Sequence, residues 1–418
     1  MFKLSWRRAK PRGTKAARQT LRTLPLSEIG IPRRTYSDLV DGGRTGSTEL
    51  FAAARVGRSE QVTIEGPNEC APQLQALRDC FVDTGYPATS VNLCRIEDVF
   101  VSMPSGVCVT SDGILIDETA RVARQIDLSL PDVTFISLSD NAFVPADYVA
   151  VTQPVLHCFH RASSAYGHFL FDTLPIIAHC REAILAGRLK LLMPNFPDWG
   201  LPVLGTLGIC RRHIVPAPIG AIRCSSLLVS DTLTTLNTFL PNPGLCRLPA
   251  KVLGVDIATK WPNRSAGSRI YLSRENQNNY FARSIENENH LRAALRALGF
   301  TILEPANIPF RDQVQAINNA SMIVGAHGSG FGNLIFARAG TTVIDLMPQD
   351  WVGFFGAVGG PERWVLNVTT AFDLDYTELL CNSRISQHLP ESDTSGLQKR
   401  GIAATVDIDL LRQVISSA

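Results

Sequence analysis

Four glycines fall within eight residues, Gly325, Gly328, Gly330 and Gly332, and they enclose His327 and Ser329. Glycine lets backbone N–H groups approach a ligand closely and adopt positive φ. The apolar run 322–324 before them has the character of a short buried strand. Residues 333–337 after them read as the start of a helix, whose first N–H groups and macrodipole attract anions. Gly340 closes that helix, and 342–346 is a second apolar strand. A glycine-lined turn feeding a helix inside a βαβ unit is a place to hold a phosphate.

Three familiar motifs are excluded at this turn. The dinucleotide fingerprint G-x-G-x-x-G fails because the glycine after Gly328 and Gly330 is Gly332, one residue early. No lysine is present for a P-loop. A nucleophile elbow at Ser329 needs glycines at 327 and 331, where His327 and Phe331 stand, which argues against a serine hydrolase.

At these residues the chain resembles glycosyltransferase family 61, inverting sugar-nucleotide enzymes usually given a GT-B architecture. The family's late signature is Gly-x-His-Gly-Ala-Gly-Leu-x-Asn-Leu-x-Phe, followed by a glycine and an apolar strand ending in Glu. Here it stands as Gly325, His327, Gly328, Ser329, Gly330, Phe331, Asn333, Leu334 and Phe336, then Gly340 and Asp345. Ser329 replaces a usual Ala, Gly332 a common Thr and Asp345 a usual Glu. Residues 269–274 look like the family's Tyr-Ile-Ser-Arg strand, 287–304 like its next helix and strand, and 166–175 like its His, Asp and Leu-Pro block.

The resemblance implies transfer of a hexosyl or pentosyl group from a nucleotide sugar, UDP-sugar first, to a hydroxyl of a glycan or lipid-linked glycan in polysaccharide biosynthesis. A catalytically inactive nucleotide-sugar or glycan binder is the alternative; the presence of both His168 and Arg274 favours the enzyme. Such transfer must neutralise a leaving diphosphate, deprotonate the acceptor and hold the nucleoside. Without a metal, the positive charge comes from a helix N-terminus and arginine. Arg274, after the first strand of the second half, is the candidate, with Gly325, His327, Gly328, Ser329, Gly330 and Asn333 forming the turn. Asp345 at its strand end is a candidate for the ribose hydroxyls. His168 and Asp172 stand four apart, on one face of a helix, where the carboxylate would orient the imidazole as general base. Asp373-Leu-Asp375 is the one Asp-x-Asp outside the C-terminal pair Asp407 and Asp409, and it reads as surface. No metal and no bound cofactor are therefore expected. The spacing of two in His157-Cys-Phe-His160 reads as strand and loop.

The elements that must position these residues suggest an α/β fold of two Rossmann-like half-domains, GT-B-like, with a β-rich preface to the first. Residues 98–116 alternate as a meander. From 151, strands (155–159, 189–193, 214–215, 226–230) alternate with helical segments (169–186, 199–207). The Pro- and Gly-rich stretches 241–244 and 261–268 read as linker. Beyond them come the strand 269–272, a helix with Leu291, Leu295 and Leu298 on one face, Gly299 as its cap, the strand 300–303 and the helix 311–320. Repeated strand–helix units imply a parallel sheet with ligands beyond the carboxyl ends of its strands. The expected division is a disordered basic tail over 1–45, an acceptor-side domain over 46–255, a nucleotide-sugar-binding domain over 265–385, and a polar tail over 386–418 ending in a helix at 409–416.

A chain of 418 residues exceeds the size at which a single core stops growing. Its apolar content of 45%, charged content of 19% and net charge of +2 are globular values and exclude a general nucleic-acid binder. Residues 1–27 carry eight Lys or Arg and no acid, a candidate foothold on anionic lipid, each basic residue being worth about 1 kcal/mol there. Ten cysteines without a Cys-x-x-Cys pair fit a reducing compartment. No apolar run approaches a membrane span. A cytoplasmic location is expected, with the inner face of the membrane as a candidate site of peripheral contact.

Overall fold

The structure is a computed structural model. It describes residues 45–418 apart from 53, 57–61, 81–84, 89, 104, 117–118, 120–134, 138–142, 160–164, 195–197, 217–219, 231–239, 264, 275–282, 353–363 and 387–400, together with the short segments 6–8, 18–19 and 33–34. The chain forms two compact units, one of residues 1–53 and 89–238, the other of 54–88 and 239–418.

The second unit is built on parallel strands. Phe300–Leu303, Ser268–Leu272, Ala320–Ala326, Thr342–Pro348, Asp375–Ser386 and Val62–Glu65 pair in that order, all parallel. From Ser268 onward the spatial order is second, first, third, fourth, fifth. That is a doubly wound order, with its switch point between Ser268–Leu272 and Ala320–Ala326. The strands are apolar on both faces, as sheets covered by helices require: all seven residues of Ala320–Ala326 and of Thr342–Pro348 are buried. One face carries Tyr271, Met322, Val324, Ile344, Leu346, Leu379 and Cys381 against Leu291 and Leu295 of the helix Glu288–Ala297 and Leu411, Val414 and Ile415 of the helix Ile408–Ser417. Gly299 ends the former helix in a left-handed conformation at φ 82°.

Several expectations are corrected here. The C-terminal stretch is no polar tail. Gly401–Thr405 pairs antiparallel with Asp375–Ser386, and the final helix, capped by Asp407, closes the core. Residues 54–88 join the second unit, because Val62–Glu65 finds its partner in Asp375–Ser386, more than 300 positions away along the chain. The stretch read as linker folds into Pro243–Cys246 and Leu248–Leu253, started by Asn242, whose side chain accepts from Gly244 N and Leu245 N. Within the basic N-terminal stretch, expected to be disordered, Trp6–Arg8 pairs antiparallel with Asp147–Val151.

The first unit is a mixed sheet rather than a second doubly wound one. Its parallel part is Lys190–Leu192, Val155–His157 and Gly220–Ser230, with Asp147–Val151 also parallel to the last. The long strand Val91–Met103 lies antiparallel along Gly220–Ser230 and carries Cys108–Thr110 and Leu115–Ile116 as the expected meander. His157 belongs to this core: its Nε2 donates to Gly106 O at 2.8 Å, and burial pushes the ring down to about 4. His160 lies outside the described residues.

Among the described cysteines no disulfide forms, and all but Cys210 are buried. Burial raises the Cys180 thiol to about 11 and the Cys224 thiol to about 12, so both stay protonated near neutral pH. Among the described residues no helix is long and apolar enough to cross a membrane.

Candidate functional site

In the second unit the carboxyl ends of the two strands at the switch point carry Ser273–Arg274 and His327–Gly328. Leu272 pairs with Gly325, so the two chain exits lie side by side. Arg274 is half-buried and its Nη1 donates to the His327 carbonyl at 3.3 Å. Glu288, in the first turn of its helix, fixes this strand end: it accepts from Ser273 Oγ and Tyr271 Oη, each at 2.7 Å.

The glycines divide by physical role. Gly328 adopts φ 144° and ψ −169°, a conformation almost confined to glycine. Gly325 is small because Phe331 packs on it: a Cβ there would lie 2.9 Å from Phe331 Cζ. Gly330 has neither constraint, since a Cβ there meets nothing within 4 Å. Open space beside an unstrained glycine is what a ligand approaching the backbone requires. Ser329 and Gly330 are the partly exposed residues of the turn.

The expected α-helix from 333 is instead a 3-10 helix, Ser329–Phe336, beginning inside the glycine turn. Its first intrahelical bond is Phe331 N to Gly328 O at 3.0 Å, so the N–H groups of Ser329 and Gly330 lie ahead of the helical ladder. Asn333 is fully buried and its Nδ2 donates to Gly330 O at 3.2 Å, so it holds the turn from within. Arg247, which no local motif singles out, holds the far end. Its Nη1 donates to Ile335 O at 3.0 Å and Ala337 O at 2.5 Å, and its Nη2 to Phe372 O at 3.0 Å. It also stacks over Phe372 at 4.2 Å. Burial lowers this guanidinium to about 10, which leaves it cationic near neutral pH. Its only sequence signal is an arginine between two short apolar helical segments.

Two expected roles change. His327 is expected to line the donor turn and Asp345 to meet the ribose hydroxyls. Both side chains are buried, at 1% and 0% exposure, and they hold each other, His327 Nδ1 to Asp345 Oδ2 at 2.8 Å. Trp364 Nε1 donates to His327 Nε2 at 3.2 Å. The ring is thus engaged on both nitrogens inside the fold. The His327 backbone is engaged too, the N–H donating to Leu346 O at 3.1 Å and the carbonyl accepting from Arg274.

In the first unit, His168 and Asp172 are brought together as expected, Nδ1 to Oδ2 at 2.9 Å, with 17% and 7% of their side chains exposed. The helix carrying them is irregular. It runs as Tyr166–His168, a π-helical turn Phe169–Thr173, and Leu174–His179. Pro175 explains the turn: it has no N–H to give to residue 171, and the wider turn absorbs the missing bond. The same widening stacks positions four apart almost directly over one another. Trp199 lies beside the pair's helix, edge-on to Tyr166 and to Phe169, each at 5.3 Å.

Asp373 and Asp375 lie at the amino end of their strand, away from the glycine turn, and Asp373 pairs with Lys260 at 2.7 Å. Among the described residues no group of three or more His, Cys, Asp or Glu side chains is placed to hold a metal.

At the switch point of the second unit the structure places Arg274 beside the glycine turn. Residues 166–344 match the model described as Glycosyltransferase 61, a segment that begins just before His168 and ends one residue before Asp345. Over that segment the chain is similar to glycosyltransferase family 61, which supports a glycosyltransferase. No curated protein matches the sequence. Among solved structures, the chain is similar to the bacterial iron-containing dodecameric glycosyltransferase TibC from enterotoxigenic E. coli H10407. The identity is 13%, over 61% of this chain and 75% of that one, and the TM-score of 0.26 is too low to carry an argument.

Proposed function

We propose that this protein is an inverting, metal-independent glycosyltransferase with a GT-B-like division of labour, the donor held by the second unit and the acceptor by the first. The donor is a nucleotide sugar, UDP-sugar first, and the acceptor a hydroxyl of a glycan or lipid-linked glycan in polysaccharide biosynthesis. The observation that carries this reading is the juxtaposition, at the switch point of a doubly wound sheet, of Arg274 with the backbone of the 327–330 turn. The diphosphate would meet the first N–H groups of Ser329–Phe336 and the guanidinium. These stabilise the charge that develops on the leaving group. His168 takes the acceptor proton, and Asp172 holds its ring by accepting from Nδ1. Cytoplasmic location and contact of residues 1–27 with anionic membrane belong to the same reading, supported by the basic sequence of that stretch.

A thermal-shift panel of UDP-, GDP- and CMP-sugars checks the donor class. UDP-sugars are expected to give the largest stabilisation, and no response to any of the panel would remove the reading. Arg274→Ala is expected to weaken UDP binding by roughly 1.5–3 kcal/mol, the scale of a hydrogen bond to a charged group. Calorimetric titration giving unchanged affinity would make Arg274 structural.

A further inference from the structure

Beneath the glycine turn lies a buried chain of polar groups that the proposed reaction does not use directly. Asp345 and Glu378 pair in register on neighbouring strands, and both are fully buried. Tyr376 Oη lies 3.1 Å from Asp345 Oδ2 and 2.9 Å from Glu378 Oε2. Asp345 Oδ2 also meets His327 Nδ1, and His327 Nε2 meets Trp364 Nε1.

Hydrogen accounting along this chain requires one proton beyond that of the phenol, and the His327 contact puts the charge on Asp345. An indole N–H only donates, so His327 Nε2 is an acceptor and the ring's proton is on Nδ1, given to Asp345. A phenol has a single proton, so Tyr376 can donate to only one of the two carboxyl groups. Asp345 Oδ2, already receiving Nδ1–H, is the charged acceptor. The remaining contact then needs a proton from Glu378. Burial of the phenol, together with the nearby Asp345 charge, raises its pKa well above the usual value, so Tyr376 keeps its own proton. Two carboxyl groups in one dry site do not both ionise.

We infer that Glu378 is a protonated carboxylic acid and a positioning residue for the donor turn: it donates to Tyr376, Tyr376 donates to Asp345, and Asp345 with Trp364 fixes His327. The peptide of His327 carries the carbonyl that receives Arg274 and leads into Gly328, so the arrangement of buried protons sets the geometry of the diphosphate site. This rests on the donor-site reading above for its consequence, though not for the proton itself. Loss of the proton toward alkaline pH places a second buried anion beside Asp345 and loosens the turn. The titratable groups on elements packed against this strand are Asp345, Glu65 of Val62–Glu65, Glu69 and Cys70 of Asn68–Cys70, and Asp350 of Gln349–Val352. Trp364–Ala371 and Gly401–Thr405 carry none.

Glu378→Gln keeps the shape and supplies an amide N–H in place of the acid O–H. Infrared difference spectroscopy between the wild type and E378Q, with UDP titrations of both across pH, tests the inference. The wild type is expected to show a protonated carboxylic-acid carbonyl band that E378Q lacks. E378Q is expected to bind UDP within about twofold of the wild type at neutral pH, and to escape the wild type's loss of affinity at alkaline pH. Tyr376→Phe, which breaks both contacts, is expected to weaken UDP binding about tenfold. Absence of the acid band in the wild type overturns the inference. So does a folded E378Q that has lost UDP affinity at neutral pH as Y376F does. A band present in a protein that binds no nucleotide overturns the donor-site reading and leaves the protonated Glu378 supported.

Discussion

His168→Ala is expected to lower turnover by roughly 10²–10⁴-fold, the usual worth of a general base. The expectation rests on the 2.9 Å contact of His168 Nδ1 with Asp172 Oδ2, which directs the ring's proton to Nδ1 and leaves Nε2 as the basic nitrogen. Donor affinity should scarcely change, because Arg274 and the glycine turn belong to the second unit and His168 to the first. Asp172→Asn should cost less, since it disturbs the tautomer and orientation without removing the base. Steady-state kinetics with separate donor and acceptor titrations would check all of this. A folded His168→Ala enzyme with near-full turnover would remove the assignment.

Arg247→Ala is expected to destabilise the second unit by about 3 kcal/mol, since three buried carbonyls lose a charged donor. Those carbonyls belong to Ile335, Ala337 and Phe372, so the loss should act on the helix that begins in the glycine turn. Donor affinity should therefore fall together with stability, although Arg247 sits at the far end of that helix. Denaturant unfolding followed by tryptophan fluorescence, which includes Trp364 on His327, measures the first effect and UDP titration the second. Stability within about 0.5 kcal/mol of the wild type, the range of surface substitutions, would mean that water replaces the guanidinium.

The second half was legible in the sequence because its signals are local. Apolar runs bounded by glycine gave the strands at 269–272, 300–303 and 342–346, and the structure places them at Ser268–Leu272, Phe300–Leu303 and Thr342–Pro348. The leucine spacing gave Glu288–Ala297, and Gly299 its end. The pairing of His168 with Asp172 followed from a separation of four on a helix. The helix type after the turn did not follow: early closure onto Gly328 and the packing of Phe331 on Gly325 favour 3-10 geometry, and a propensity count sees neither.

What the sequence by itself determined is the kind of chemistry: a glycine turn, an arginine after the preceding strand and a histidine–carboxylate pair, each set by residue type and short spacing. Tertiary structure decided who touches whom. Strand pairing is non-local, so only the fold could place Val62–Glu65 beside Asp375–Ser386 and the last helix over the core. The same holds for side-chain direction. Asp345 at a strand end looked available to a ligand, until pairing with Glu378 and contact with His327 turned it into the interior. Residues with no local pattern, Arg247, Tyr376, Glu378 and Trp364, gain their roles only there. A buried polar atom must find a partner in three dimensions, wherever along the chain that partner lies.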